Sequence, residues 1–278
     1  VKHVVSKELI LFFDKIRGAI LDEDPDPEVV SLRKAALESV RSDPGLHQLV
    51  PYFTQFVSEK VTHSLGNLFV LRQMMELTDA MTNNKTLHVD PYVSGLAPPI
   101  LTCLLGRKLG NDGADSAENQ YNLRNYAASL IGKIASKYAA TSGELQARLA
   151  RTCLRYFLDP TRTLAEQYGA IRGLETIGGS SAVQTLVLPN LKAYNWILKK
   201  AQDELGENHN DVIMLTAAIL QAVETLADKS PAAMNGINGN AVEGQLVEEY
   251  LGPIIGSRIV AKGNHSLNKA ILESREKH

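Results

Sequence analysis

The chain has 278 residues, and its 29 Lys and Arg against 31 Asp and Glu leave it near neutral at −2, which argues against a dedicated nucleic-acid binder. Hydrophobic residues make up 44% but aromatics only 6%, so the core is of the Ala/Leu/Val kind that suits close helix packing rather than a β-sandwich. No run approaches 18 uninterrupted apolar residues and the start lacks a signal-peptide pattern, so neither a membrane span nor a secretory leader is expected, and a chain opening on Val is expected to be a fragment.

Taken in order, the first helical hairpin is expected over 4–41, from "VKHVVSKELILFFDKI" through "SLRKAALESV", which carries Ala36. The acidic run "DEDPDPE" between them (Asp22, Glu23, Asp24, Asp26 and Glu28) has two prolines and lacks the glycine turn of a calcium loop. It reads as a solvated loop whose charge favours the next helix N-terminus.

The second hairpin, 43–84, opens on "SDPGLHQLVPYF". Asp43 and Pro44 look like an N-cap and first helical residue, which places Pro51 inside the helix. A proline there removes an N–H and presses on the carbonyl of His47, so Pro51 is expected to kink the helix. The third hairpin, 90–139, repeats the pattern 47 residues on, with Asp90, Pro91 and Pro98 in "VDPYVSGLAPPI", and is interrupted by the polar loop "LGNDGADSAENQ". In the fourth, 142–179, Ser142 is the expected cap and Ala150 stands at the kink position. The fifth, 181–229, has Ser181 and Pro189 as its cap and kink.

Small residues mark the second helices. Ala36, Ala80, Ala128, Ala170 and Ala218 are spaced by 44, 48, 42 and 48 residues. Hairpins repeating every 40–47 residues are the signature of HEAT or armadillo solenoids. The expected fold is all-α, a HEAT-type α-solenoid of about five hairpins over 1–229, then a flexible loop at 230–244 and an imperfect helical cap at 245–278 around Pro253. Ala128, Ala170 and Gly173 are the expected inter-repeat packing residues, because small side chains let neighbouring helices approach.

Catalytic chemistry is hard to find. The seven histidines are scattered, with no His-x-x-x-His or Cys-x-x-Cys spacing, so no metal, cofactor or catalytic residue is expected. Cys103 and Cys153 fall in first helices and read as reduced core thiols of an intracellular protein. "GLETIGGSS" lacks the Lys-Ser/Thr of a phosphate loop and follows a helix, so Gly178 and Gly179 read as a helix C-terminal cap. Charge is more informative: across 124–172, eight basic residues (Arg124, Lys133, Lys137, Arg148, Arg151, Arg155, Arg162 and Arg172) meet only Glu144, Asp159 and Glu166. Arg148, Arg151 and Arg155 share one helix face, opposite Leu149, Cys153 and Phe157. That stripe is either a solvated face or a docking surface for an acidic partner or, weakly and without base specificity, the DNA backbone.

Several blocks, "VKHVVSKELILFFDKI", "RSDPGLHQLVPYFTQFVSEKVTH", "PYVSGLAPPILTCLLGRKLG", "NLRNYAASLIGKIASKY" and "QYGAIRGLETIG", resemble in order the C-terminal HEAT domain of the sixth TBP-associated factor family, over roughly residues 1–200. The resemblance implies a nuclear, non-enzymatic scaffold for RNA polymerase II transcription that docks other subunits of TFIID and, in fungi, of SAGA. It also implies an N-terminal histone fold, upstream of Val1, pairing with the ninth TBP-associated factor. No membrane contact or small-molecule substrate is implied. Two other readings of such a solenoid stay open at this point. One is a HEAT-like alkyl-base DNA glycosylase, which would need an aspartate among aromatics, although Trp196 is the only tryptophan. The other is a nuclear-transport or phosphatase scaffold.

Overall fold

A computed structural model describes residues 4–227 and 241–278, and every regular element among them is helical. The chain forms two compact units, Val1–Gly143 and Glu144–His278.

The first unit holds three hairpins: α1 (Lys7–Leu21) with α2 (Pro27–Ser42), α3 (Val50–His63) with α4 (Leu68–Asn83), and α5 (Val93–Leu105) with α6 (Ala114–Lys137). First helices stack on first helices and second on second: α3 lies on α5, α2 on α4 and α4 on α6. Local chemistry fixes the starts. Ser6 and Asn67 accept from the N–H groups of Leu9 and Val70, and Asp26 caps α2 ahead of Pro27. The "DEDPDPE" run is an exposed series of turns in which Asp22, Asp24 and Asp26 each accept from the N–H two residues on. At the end of the stack Phe13 meets Phe53 edge-on at 5.1 Å, an arrangement that aromatic quadrupoles favour.

The prolines correct the expected repeat. Asp43 is the C-cap of α2, not an N-cap; after it the chain turns at Gly45 and makes a 3₁₀ turn at His47–Leu49, and α3 begins at Val50. Pro51 therefore sits in the first helical turn, where its missing N–H had no intrahelical partner, and it produces no kink. Pro189 likewise lies in the first turn of its helix. Pro98 is interior, within α5 and next to a second interior proline, Pro99, and the carbonyl that Pro98 frees belongs to the exposed Ser94. The 3₁₀ turn recurs at Asp90–Tyr92 before α5, so the structural register between α3 and α5 is 43 residues, one helical turn short of the proline spacing of 47. Burial follows the structural register: Val50, Phe53, Val57 and Val61 correspond to Val93, Leu96, Ile100 and Leu104, all core residues. The expected loop "LGNDGADSAENQ" is half helix, because α6 begins at Ala114 once Asn111 Oδ1 has accepted from the Gly113 N–H and the Ser116 hydroxyl.

The second unit contains α7 (Leu145–Leu158) with α8 (Leu164–Ala182), and α9 (Leu188–Leu205) with α10 (Asn210–Glu224). It continues with α11 (Ala241–Leu251), α12 (Pro253–Ala261) and α13 (His265–Lys277). Thr163 and Glu166 form a capping box at the start of α8. Ser142 is not the cap of α7, whose N-cap is Glu144. Gly179 breaks α8 at φ 61°, but helix resumes at once and a π turn, Val183–Val187, leads into α9, so Ser181 caps nothing. Helices α11, α12 and α13 pack on α9. Of the loop expected at 230–244, residues 230–240 lie outside the described residues, and 241–244 form the first turn of α11.

The cap is joined to α9 through one buried amide. Asn195 Nδ2 donates to Leu251 O at 2.7 Å, and its Oδ1 accepts from the Ile254 N–H at 2.7 Å. Gly252 between them has φ 90°, and a Cβ there would fall 2.5 Å from Asn195 Cγ, so the turn requires glycine.

Candidate docking surface

Helix α7 carries the arginine stripe. Leu145, Leu149, Cys153 and Phe157 recur every four residues and are buried, which turns Arg148, Arg151 and Arg155 to solvent over about 10 Å of helix. The rotation of α7 is fixed at its C-terminal end. Phe157 stacks on Tyr194 of α9 with centroids 4.3 Å apart and planes 12° from parallel. The Tyr194 hydroxyl donates to Gln167 Oε1 at 3.0 Å, and the Gln167 amide donates to Asp159 O at 2.9 Å, so α7, α8 and α9 are pinned together beneath the stripe.

Five of the eight basic residues between 124 and 172 are engaged elsewhere. Arg124 is wholly buried and donates to Leu104 O at 3.0 Å and Gly106 O at 2.7 Å, satisfying carbonyls at the C-terminal end of α5 that the helix leaves open. Lys133 pairs with Asp79 at 2.7 Å, and Lys137 donates to Thr82 O. Arg162 lies 3.9 Å from the Tyr156 ring centroid and pairs with Glu166, while Arg172 pairs with Glu175 at 3.0 Å. The basic excess read along the chain therefore reduces, as an accessible feature, to Arg148, Arg151 and Arg155, which have no ion-pair partner within 4 Å among the described residues.

Ala128, Ala170 and Gly173 are all buried, in α6 and α8. Cys103 and Cys153 are buried free thiols, and burial pushes both up to about 12, so neither is a nucleophile near neutral pH. The histidines serve the fold: His209 accepts from the Asp211 N–H to cap α10, and His265 of α13 pairs with Glu243 of α11 at 2.8 Å. Among the described residues no three His, Cys, Asp or Glu side chains are grouped as a metal site, and no helix is long and apolar enough to cross a membrane. The roles of Arg124, Asn195 and Asn84, whose amide donates to Val40 O and Asp43 O, are not legible in the sequence, because each of these partners lies far away along the chain.

The family model of the TAF6 C-terminal HEAT repeat domain matches residues 1–192. The chain belongs to this family. It is 39% identical over 274 residues to "SAGA complex/transcription factor TFIID complex subunit Taf6" of Schizosaccharomyces pombe, covering 98% of this chain and 59% of that protein. It is 41% identical over 199 residues to "Transcription initiation factor TFIID subunit 6" of Arabidopsis thaliana, covering 72% of this chain and 35% of that one. The chain thus spans about a third to three-fifths of these relatives. Among solved structures it is similar to "TAF6 C-terminal domain from Antonospora locustae", with a TM-score of 0.60 and 26% identity over 79% of this chain and 98% of that one. The stacked hairpins are accordingly a HEAT-type α-solenoid, the fold named by the family. The family match ends inside α9, before Asn195, whereas the alignment with the fission-yeast relative spans nearly the whole chain.

Proposed function

We propose that this chain is a non-enzymatic scaffold domain of a nuclear RNA polymerase II transcription factor, binding other subunits of a TFIID-type or SAGA-type complex. The observation that carries the reading is the 39% identity to the fission-yeast subunit across 98% of the chain. The chemistry is consistent with it: the buried Arg124 and Asn195 serve backbone carbonyls, and burial holds both thiols well above their ordinary range. The relatives carry transcription-subunit names, which lends no support to a glycosylase or a transport scaffold. Within this reading Arg148, Arg151 and Arg155 are a docking site for an acidic segment of a neighbouring subunit. Exposed charge pairs are weak singly, so the stripe acts through encounter rate and orientation and loses influence as salt rises. Pairing with the ninth TBP-associated factor concerns a histone fold outside these 278 residues.

The test is recovery from nuclear extract on the immobilised 278-residue chain. TFIID or SAGA subunits should be enriched over a HEAT solenoid of another family. Equal recovery on both would overturn the reading.

A further inference from the structure

The Val1–Gly143 unit carries a cleft of about 310 Å³ where α3 and α5 begin, lined by Val5, His47, Gln48, Pro51, Tyr52 and Tyr92. Its walls follow from the two 3₁₀ turns. Pro51 lies in the first turn of α3 just after the turn at His47–Leu49, and Tyr92 closes the matching turn before α5, its N–H donating to Val89 O at 2.8 Å. In the structural register Tyr92 stands where Leu49 stands one hairpin earlier. Leu49 is wholly buried, whereas Tyr92 is half-buried and reaches the cleft. Tyr52 is 41% exposed and its ring meets Phe13 edge-on at 5.8 Å, so this aromatic wall is in place before any ligand arrives.

The lining is chemically narrow. It contains no Asp, Glu, Lys or Arg. The Tyr52 and Tyr92 hydroxyls, the Gln48 amide and the His47 ring have no hydrogen-bond partner among the described residues, so the cleft sets unused donors beside flat tyrosine and proline faces. Of the recurring ways in which a fold holds a peptide, this suits one. Strand addition needs a free sheet edge, and every regular element among the described residues is helical. A docked amphipathic helix needs an apolar groove long enough for anchors at i to i+7, about 10 Å, whereas this cleft is confined to two turns and the start of α3. Acidic or phosphorylated segments and nucleic acids call for cations, and basic segments for carboxylates; the lining supplies neither. A proline-rich segment fits. Its polyproline II backbone offers carbonyl acceptors and, at each proline, no N–H to be left unpaired, while its rings pack on aromatic faces at little cost in entropy.

We infer that this cleft binds a proline-rich segment of a partner protein in the polyproline II conformation, its rings against Tyr52, Tyr92 and Pro51 and its carbonyls accepting from the two tyrosine hydroxyls and the Gln48 amide. The inference goes beyond the scaffold reading and does not depend on the arginine stripe.

The test is anisotropy of labelled peptides with the 278-residue chain. The probes are an oligoproline, a Gly/Ser peptide of equal length, and an Arg/Lys peptide that could place cations on the tyrosine rings. The oligoproline should bind, the Gly/Ser peptide should not, and the affinity should be the same at low and moderate salt because no charge takes part. Tyr52→Phe with Tyr92→Phe keeps both rings and should weaken oligoproline binding about tenfold, the weight of two hydrogen bonds, with an unchanged melt. Gln48→Ala is the second variant and should weaken it by less. No oligoproline binding, equal binding of the Gly/Ser peptide, or tighter binding of the Arg/Lys peptide would overturn the inference. So would unaltered affinity in both the double-phenylalanine and the Gln48→Ala variants.

Discussion

In the Val1–Gly143 unit, Arg124, Lys133 and Lys137 are occupied by the carbonyls of Leu104, Gly106 and Thr82 and by the Asp79 carboxylate, whereas in the Glu144–His278 unit α7 turns three arginines to solvent. Asp79 shows how the first unit occupies its charge, since it forms an ion pair with Arg41 from α2 at 3.6 Å and accepts from Lys133 of α6, and so links three stacked second helices. Both units also use neutral amides for long-range ties, Asn84 in the first and Gln167 and Asn195 in the second, and the second unit adds a charged one between Lys262 and Glu224. A basic stretch in a helical repeat is therefore not one property. A cation beneath a helix C-terminus is part of the fold, and a cation opposite the core stripe is available to a partner.

Replacing Arg124 should cost the fold most. Arg124→Ala leaves the Leu104 and Gly106 carbonyls buried without donors, so it should destabilise the chain by about 3 kcal/mol, read from denaturant unfolding. A loss below about 1 kcal/mol would mean that water replaces the guanidinium and that the contrast with α7 is overstated.

Next in size is Ala170→Leu. Ala170 is wholly buried in α8, and added methylenes there should cost about 2 kcal/mol through overpacking while the circular dichroism stays helical. An unchanged melting temperature would show slack between the helices.

Asn195→Ala removes a neutral tie. Loss of the bonds to Leu251 and Ile254 should cost about 1–2 kcal/mol, and amide exchange should speed up in α11 and α12 before it does in α7. Uniform acceleration across the unit would contradict a local anchor.

Smaller still is the alkaline effect. Each unit buries one thiol, Cys103 and Cys153, raised from an ordinary 9.0 to about 12, for both chiefly by burial. The folded state keeps these protons where the unfolded state releases them, so their stabilising contribution is complete below pH 9 and declines as pH rises toward 12. Melts at about pH 8 and about pH 10 should show that decline, and Cys103→Ala with Cys153→Ala should reduce it. An identical alkaline slope in the double variant would assign the effect to other groups.

Much of this architecture is legible in the sequence because stacked hairpins impose a period on small and apolar residues: Ala36, Ala80, Ala128, Ala170 and Ala218 are all buried. The prolines misled for a physical reason. A proline in the first turn and one in the interior look alike when a 3₁₀ turn precedes the helix, as His47–Leu49 does before Pro51, and the proline spacing then departs from the helical register by one turn. The stripe on α7 is readable because its periodicity is local. Arg124 and Asn195 are not, since their acceptors lie 20 and 56 residues away and nothing in the neighbouring sequence marks them. Trp196 is visible as a residue, but its exposure depends on how α9 packs.

The most direct test of the exposed cations is one triple variant, Arg148→Glu, Arg151→Glu and Arg155→Glu. Its melt and its recovery of TFIID and SAGA subunits from nuclear extract would be measured at low and moderate salt. The account predicts a melt within about 0.5 kcal/mol of the unaltered chain, because these side chains have no structural partner, together with a loss of subunits that is largest at low salt. Full recovery at both salt concentrations with an unchanged melt would contradict it and leave the stripe a solvated face.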